Sequence, residues 1–322
     1  MIVSSTAPSR ISLIGGGSDM PSFYQKHGGL VISMAINIYQ RFEMYSDNDI
    51  YGIGREKNTV PEGGKLEFVY KILKRFNLNS MHHTYFHSDY DGVIESGLGA
   101  SASAAVNIVS SINLRENLGY DRAKIAETAW DIEVNDLGLF GGKQDQYAAA
   151  FGGFNAIRFE NFIELSSFSR KEAEKIIPAM VLFYIGENRK SAVIQEGFKH
   201  LNLQQTTAIK HLKRLAYDSI AVIYRKDVEK LGNLLNEAWE FKKKANKGVS
   251  NERIDKLYET GMKEGAWGGK ICGAGGGGHM LFIIDPVKKK NLIEVMERQG
   301  LIWYDFNVDW NGVNSRILPI EK

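Results

Sequence analysis

Apolar and polar residues follow two periods along the chain, and the switches between them mark the elements. Residues 29–39 (GLVISMAINIY), 41–46 (RFEMYS) and 82–87 (HHTYFH) have strand character. The turn-rich stretches GIGREKN (52–58) and VPEGG (60–64) fall between later elements. From Ala102 onward Ala105, Val106, Val109, Ile112 and Leu114 recur at helical spacing, so a helix begins there. A second helix follows Asp121, a suitable N-cap, through AKIAETAWDIEVNDLG (123–138). Strand character returns in FGGFNAIRF (151–159) and AMVLFYIG (179–186), and the charged SRKEAEKIIP (169–178) separates the two. Residues 195–239 are mainly helical, and ICGAGGGGHMLFIID (271–285) is a loop entering a strand. Strands and helices do not follow a clean βαβα order, so an α+β fold is expected. The charged segment places a boundary between domains 1–175 and 176–322.

Composition narrows the classes. At 322 residues, with 43% hydrophobic and 24% charged positions, the chain is an ordinary globular protein long enough for two domains. Its net charge of +2 gives no general reason to bind nucleic acid or an anionic membrane. The single Cys272 excludes an internal disulfide and a multi-cysteine zinc site. With no secretory h-region and no apolar run of membrane-spanning length, a cytoplasmic protein is expected. His83 and His87 would share a strand face with His82 opposite, but no nearby Cys or paired carboxylate completes a metal site.

Three glycine clusters carry the candidate chemistry: Gly15 to Gly17, Gly97 and Gly99 in GLG, and Gly273 to Gly278 in GAGGGG. GLG stands directly before a helix. The free amides of a first turn and the positive end of the helix dipole attract an anion, and glycine lets a phosphate approach the backbone. GLGASAS lacks the lysine of a Walker loop, so any cation touching the phosphates must come from elsewhere. The plain alternative is a Ser-capped helix after a glycine turn. Gly273, Gly275 and Gly278 satisfy G-x-G-x-x-G, but HMLFII after them is strand-like, which argues against a dinucleotide fingerprint. GAGGGG is either a tight turn or a backbone wall against a ligand.

APSRISLIGGGSD (7–19), GLGASAS (97–103), GGKQDQYAAAFGG (141–153) and KICGAGGGGH (270–279) resemble, in the right order, the motifs of the GHMP small-molecule kinases. GGGSDMPSFYQKHGG and GGKQDQYAAAFGGFN are most similar to kinases that phosphorylate the anomeric hydroxyl of D-glycero-D-manno-heptose 7-phosphate. Fucose- and galactose-type 1-kinases carry similar segments and are the alternative. The resemblance implies an N-terminal domain with a left-handed βαβ unit, a ferredoxin-like C-terminal domain, and ATP and a sugar phosphate held between them. A monomer or homodimer that engages neither nucleic acid nor membrane is expected.

The same resemblance assigns residues. Gly97, Leu98, Gly99, Ala100, Ser101, Ala102 and Ser103 would wrap the triphosphate, with Ser103 as a helix cap or a phosphate contact, and Gly275 and Gly276 would close the site. Asp145 matches the catalytic base; on spacing alone it could instead cap the helix QYAAAF. Arg10 matches the basic residue near the transferred phosphate, and Lys143 is a second candidate. Ser101 and Glu133, the latter twelve positions before Asp145, match the Mg2+ ligands, with Asp131 and Asp136 as competing carboxylates. Asp19, among Gly16, Gly17 and Gly142, matches the sugar-binding aspartate. Arg189, beside Lys190 in GENRKSA, would anchor a substrate phosphate. Two departures stand out: the family often has proline and glycine before the cradle where this chain has Asp89 to Glu95, and Ala100 replaces a common serine.

Overall fold

The structure is a computed structural model that describes residues 2–46, 65–78, 84–186 and 197–319. The stretches GIGREKN and VPEGG, His82, His83, Arg189 and Lys190 lie outside the described residues.

The first sheet is built on two long antiparallel strands, β1 (Ile2–Ile14) and β2 (Gly29–Ser46), joined through α1 (Pro21–His27). The two apolar runs read separately in 29–46 thus form one strand. Pro8, which has no N–H to give a ladder, sits at a register shift between β1 and β2. After α2 (Lys65–Arg75), β3 (Thr84–Tyr90) pairs antiparallel with the far end of β2. The chain then enters α3 (Ala100–Arg115), α4 (Arg122–Asp131), a π-helical turn (Ile132–Asp136) and α5 (Gln144–Phe151). It returns as β4 (Phe154–Phe159), antiparallel to the near end of β2, followed by β5 (Ile163–Phe168). Since β3 and β4 both oppose β2, they run parallel to each other with helices between them, a βαβ connection.

After α6 (Arg170–Ile176) the second sheet begins. Its elements are β6 (Met180–Tyr184), α7 (Leu203–Arg225), α8 (Val228–Ala245), α9 (Glu252–Lys263), β7 (Ala266–Ile271), β8 (His279–Ile284), α10 (Pro286–Glu297) and β9 (Ile302–Tyr304). The order β7-β8-β6-β9, antiparallel throughout, with helices between its first two and last two strands, is the ferredoxin-like pattern the resemblance implied. The last strand, β10 (Asn314–Leu318), crosses back and pairs with β1, so the chain's end belongs to the first sheet.

Apolar faces decide the layering. Ala105, Val106, Val109 and Ile112 of α3 pack with Ala126 and Ala129 of α4 and Ala149 of α5 against one face of the first sheet. On the other face Ile11, Leu13, Ile32 and Met34 meet Leu212 and Leu215 of α7, Leu231 and Leu235 of α8, and Leu182 and Leu281 of the second sheet. This shared core locks the two sheets together and leaves a cleft where the glycine clusters emerge. A third cluster, around Trp239, Phe183, Phe282, Ile254 and Leu292, buries the remaining face of the second sheet. Asp121 caps α4 as expected, accepting from the Lys124 amide at 2.7 Å.

Candidate active site

Gly15 to Gly17, Gly97, Gly99 and Gly273, from all three glycine clusters, line one cavity of about 960 Å3. The helix after GLG begins at Ala100, two residues earlier than the apolar pattern suggests. Gly99, at φ +78°, takes the left-handed N-cap conformation and turns the chain directly into α3. No side chain caps that first turn. Neither serine acts as the expected cap. Ser103 is buried, and its Oγ donates to Pro8 O at 2.8 Å and to Gly99 O at 3.1 Å. Ser101 instead faces the cavity and donates to Glu133 Oε1 at 2.6 Å. The first-turn amides are thus left to an anion.

Asp145 stands in the first turn of α5 and does not cap it. Both its oxygens accept from Arg10, Nε to Oδ1 and Nη2 to Oδ2, each at 2.6 Å. Arg10 is 4% exposed and its third contact is Nη1 to Gly97 O at 2.7 Å, so one guanidinium joins β1, the cradle and the carboxylate. Burial works against the Arg10 charge, but Asp145 outweighs it and holds the guanidinium pKa above its usual value. Lys143 does not join this cluster. As the N-cap residue of α5 its side chain leaves in another direction, with Nζ 2.6 Å from Glu127 Oε2 and 4.3 Å from the Trp130 ring centroid.

Glu133 lies on the π-helical turn, which carries it inward to 6% exposure. Its Oε2 accepts from Gln146 Nε2 at 2.6 Å, opposite the Ser101 contact. Burial pushes the Glu133 carboxyl up to about 7; the Ser101 and Gln146 hydrogen bonds work against the rise, and Asp145 adds to it. A buried carboxylate and a hydroxyl, paired and without a cation, are the hard oxygen donors Mg2+ takes, two from the protein and the rest from water and phosphate. Among the described residues no three His, Cys, Asp or Glu side chains cluster as a closed cage. The competing Asp131 and Asp136 are held on the surface by Arg75.

Asp19 is 2% exposed and borders the same cavity. Its Oδ1 accepts from the Gly17 amide at 2.9 Å and its Oδ2 from the Gln144 amide at 3.4 Å. Burial and then Asp145 raise its pKa, while those amides lower it. Gly142 is glycine because of Asp19: a Cβ there would stand 1.9 Å from Asp19 Oδ2. Gly16, Gly17 and Gly142 all border the same cavity.

Several residues assigned to the cradle lie against other parts of the protein. Leu98 is 1% exposed and anchors its loop in the core, while its carbonyl accepts from the Arg10 amide at 2.9 Å. Gly275 and Gly276 turn to Val249: a Cβ on Gly275 would lie 2.7 Å from the Val249 Cβ, and the Gly276 amide donates to Val249 O at 2.7 Å. Gly273 and Ala274 border the cavity in their place. Gly97 and Gly273 meet backbone to backbone, since a Cβ on Gly273 would come within 2.6 Å of Gly97 Cα. Close contact between loops therefore demands glycine at Gly97, Gly273 and Gly275. Ala100 and Ala102 do border the cavity. Sequence reasoning missed Gln146, whose only signal is its place beside Asp145; Trp130 and Lys242, which carry no motif signal of their own; and Lys270, which heads the motif KICGAGGGGH without drawing a role from it.

A split phosphate cradle facing a carboxylate held by arginine, in an α+β chain of two sheets, defines a small-molecule phosphotransferase. The description "GHMP kinases N terminal domain" matches residues 66–153 and "GHMP kinases C terminal" matches residues 219–301. The chain is 30% identical, over 96% of its length and 97% of the relative's, to the D-glycero-alpha-D-manno-heptose 7-phosphate kinase of Campylobacter jejuni. This protein belongs to the GHMP kinases. It is 25% identical to the galactokinase of Pyrococcus furiosus, over 94% of this chain and 95% of that one. Among solved structures, a D-glycero-D-manno-heptose 1-phosphate kinase from Bacteriodes thetaiotaomicron superposes with a TM-score of 0.78 at 24% identity, covering 98% and 99% of the two chains. Lactococcus lactis galactokinase complexed with galactose superposes at 0.72 with 18% identity, covering 97% and 95%. The two-domain α+β GHMP fold and an ATP-dependent sugar kinase activity, phosphate passing to a hydroxyl, follow. No helix among the described residues is long and apolar enough to cross a membrane.

Proposed function

We propose that the protein transfers the terminal phosphate of ATP to the anomeric 1-hydroxyl of D-glycero-D-manno-heptose 7-phosphate, giving the 1,7-bisphosphate. The observation that supports this reading is the closeness of Asp145 to both candidate groups: Asp145 Oδ2 is 3.4 Å from where a Gly99 Cβ would lie, and its charge contributes to the raised Asp19 pKa. An acceptor hydroxyl held by Asp19 and the amides around Gly16 and Gly17 would hydrogen-bond to Asp145, which takes its proton as the phosphate arrives. Arg10 orients that carboxylate and sets positive charge beside the transferred group. Ser101 and Glu133 would hold Mg2+, which when bound neutralises phosphate charge. The division between domains 1–175 and 176–322 belongs to the same reading, with β10 returned to the first.

Asp145→Ala should lower turnover about 10³-fold while leaving ATP affinity nearly intact, judged by steady-state kinetics beside calorimetric ATP titration. Unchanged turnover removes Asp145 from the mechanism. Similarity to a galactokinase over most of the chain favours one rival, a hexose 1-kinase. ADP release measured on heptose 7-phosphate, fucose and galactose separates the two. Activity on a free hexose without activity on the phosphorylated heptose selects the rival.

A further inference from the structure

Two lysines border the cavity, and among the described residues neither has a carboxylate as counter-charge. Lys270 in β7 is 5% exposed, and its Nζ donates to Ser12 O at 2.7 Å and Leu13 O at 2.8 Å. Lys242, in the last turn of α8, is partly exposed along its stem but carries its ammonium inward, donating to Gly273 O at 2.6 Å and Ile271 O at 3.1 Å. Both side chains border the cavity. Backbone carbonyls receive their protons, and among the described residues neither forms an ion pair with a carboxylate. Each ammonium has three protons and spends two.

The surroundings add to the imbalance. Burial pushes Lys270 down to about 8 and Lys242 well below its usual range; Arg10 repels both, and Lys270 repels Lys242. The thiol between them, Cys272, is raised by its own burial and supplies no fixed negative charge. Asp145 is already committed to Arg10, and Asp19 to the sugar end. Buried charge without a partner is unfavourable, so such a wall suits an anionic occupant.

Position selects the anion. Lys242 grips Gly273, Gly273 lies against Gly97, and the Gly97 carbonyl accepts from Arg10, so the wall stands behind the meeting of the two glycine loops. That is the cradle side of Asp145. Resting on the proposed binding of ATP at GLGASAS, we propose that Lys242 and Lys270 form with Arg10 a cationic wall that binds the nucleotide's phosphate chain, replacing from the second domain the lysine that this cradle lacks. The same lysines would draw GAGGGG and the end of β1 toward the phosphates, so that nucleotide charge tightens the union of the two domains.

A charge ladder tests this. Affinities for a non-hydrolysable ATP analogue, ADP, AMP and adenosine would be measured by calorimetry for the wild type, Lys242→Met, Lys270→Met and the corresponding Arg variants. The wall predicts a loss of about 10-fold or more for the ATP analogue in either Met variant, a smaller loss for ADP and almost none for adenosine. The loss should shrink at high salt, and the Arg variants should recover most of it. Equal losses along the ladder, or none, overturn the proposal and leave the lysines as clamps on carbonyl groups. A wild type that binds no ATP overturns both this inference and the ATP reading of the cradle, whereas a wild type that binds ATP with flat variants overturns the inference alone. If Lys270→Met does not fold, Lys242→Met, altered at a partly exposed side chain, decides.

Discussion

Gly142 shows how little space separates recognition from obstruction in this site. Its missing side chain makes room for Asp19 Oδ2, which a Cβ would meet at 1.9 Å. Gly142→Ala must therefore push the carboxylate aside, and a displacement of that order costs about 10²-fold in kcat/KM for the sugar. Kinetics with sugar and ATP varied in turn should place the loss on the sugar side, with ATP binding unchanged. The same scale explains why Lys143 and Asp145, two positions apart, have different fates. One leads the chain into α5 and turns back to Glu127; the other sits in the first turn and faces Arg10.

Among the elements, the junction of the two glycine loops governs the cradle. Gly97 has φ +87°, and a Cβ there would stand 2.7 Å from Cys272 O; Gly273 has φ +61° and presses on Gly97 in turn. Gly97→Ala combines an unfavourable backbone conformation with a clash against a carbonyl, so a loss of about 1–3 kcal/mol is expected, read by denaturant unfolding. ATP affinity should fall as well, because the loop that presents the α3 amides cannot keep its path. The π-helical turn is a second local device. It diverts the end of α4 so that Glu133 points inward while Asp131 and Asp136 remain with Arg75 on the surface. Apolar spacing announced the helix but not the extra residue in its turn, since a π turn depends on what Glu133 meets inside.

For the whole molecule, the contact between the two halves at His279 is expected to respond to pH. This residue in β8 is fully buried, its Nδ1 donates to Ser96 O at 2.9 Å, and its ring lies 5.4 Å from Tyr184 and 5.0 Å from Tyr304. Burial pushes the imidazole down to about 4, below the usual 6.5, so the folded protein binds fewer protons than the unfolded chain between those values. Stability from this group is complete above about pH 6.5 and declines as pH falls toward 4, by about 3 kcal/mol at most. Melting temperature followed from pH 8 to pH 4 should fall less steeply for His279→Gln than for the wild type; parallel slopes would remove His279 as the cause.

Much was determined by local order alone: the α+β class, the Asp121 cap, the glycine junction before α3, and motifs ordered as in the GHMP kinases. These depend on short-range backbone preferences and on spacing, which a linear chain displays. The tertiary structure alone decided which charges meet. Arg10 and Asp145 are 135 residues apart and form one ion pair, while Lys242 and Lys270 reach the cavity from a basic run and from an edge strand of the second sheet. It also set Leu98, Ser103, Gly275 and Gly276 against other protein groups. Electrostatic and steric partners are set by distance through space and by exclusion of water, and neither quantity exists until the two sheets have closed on their common core.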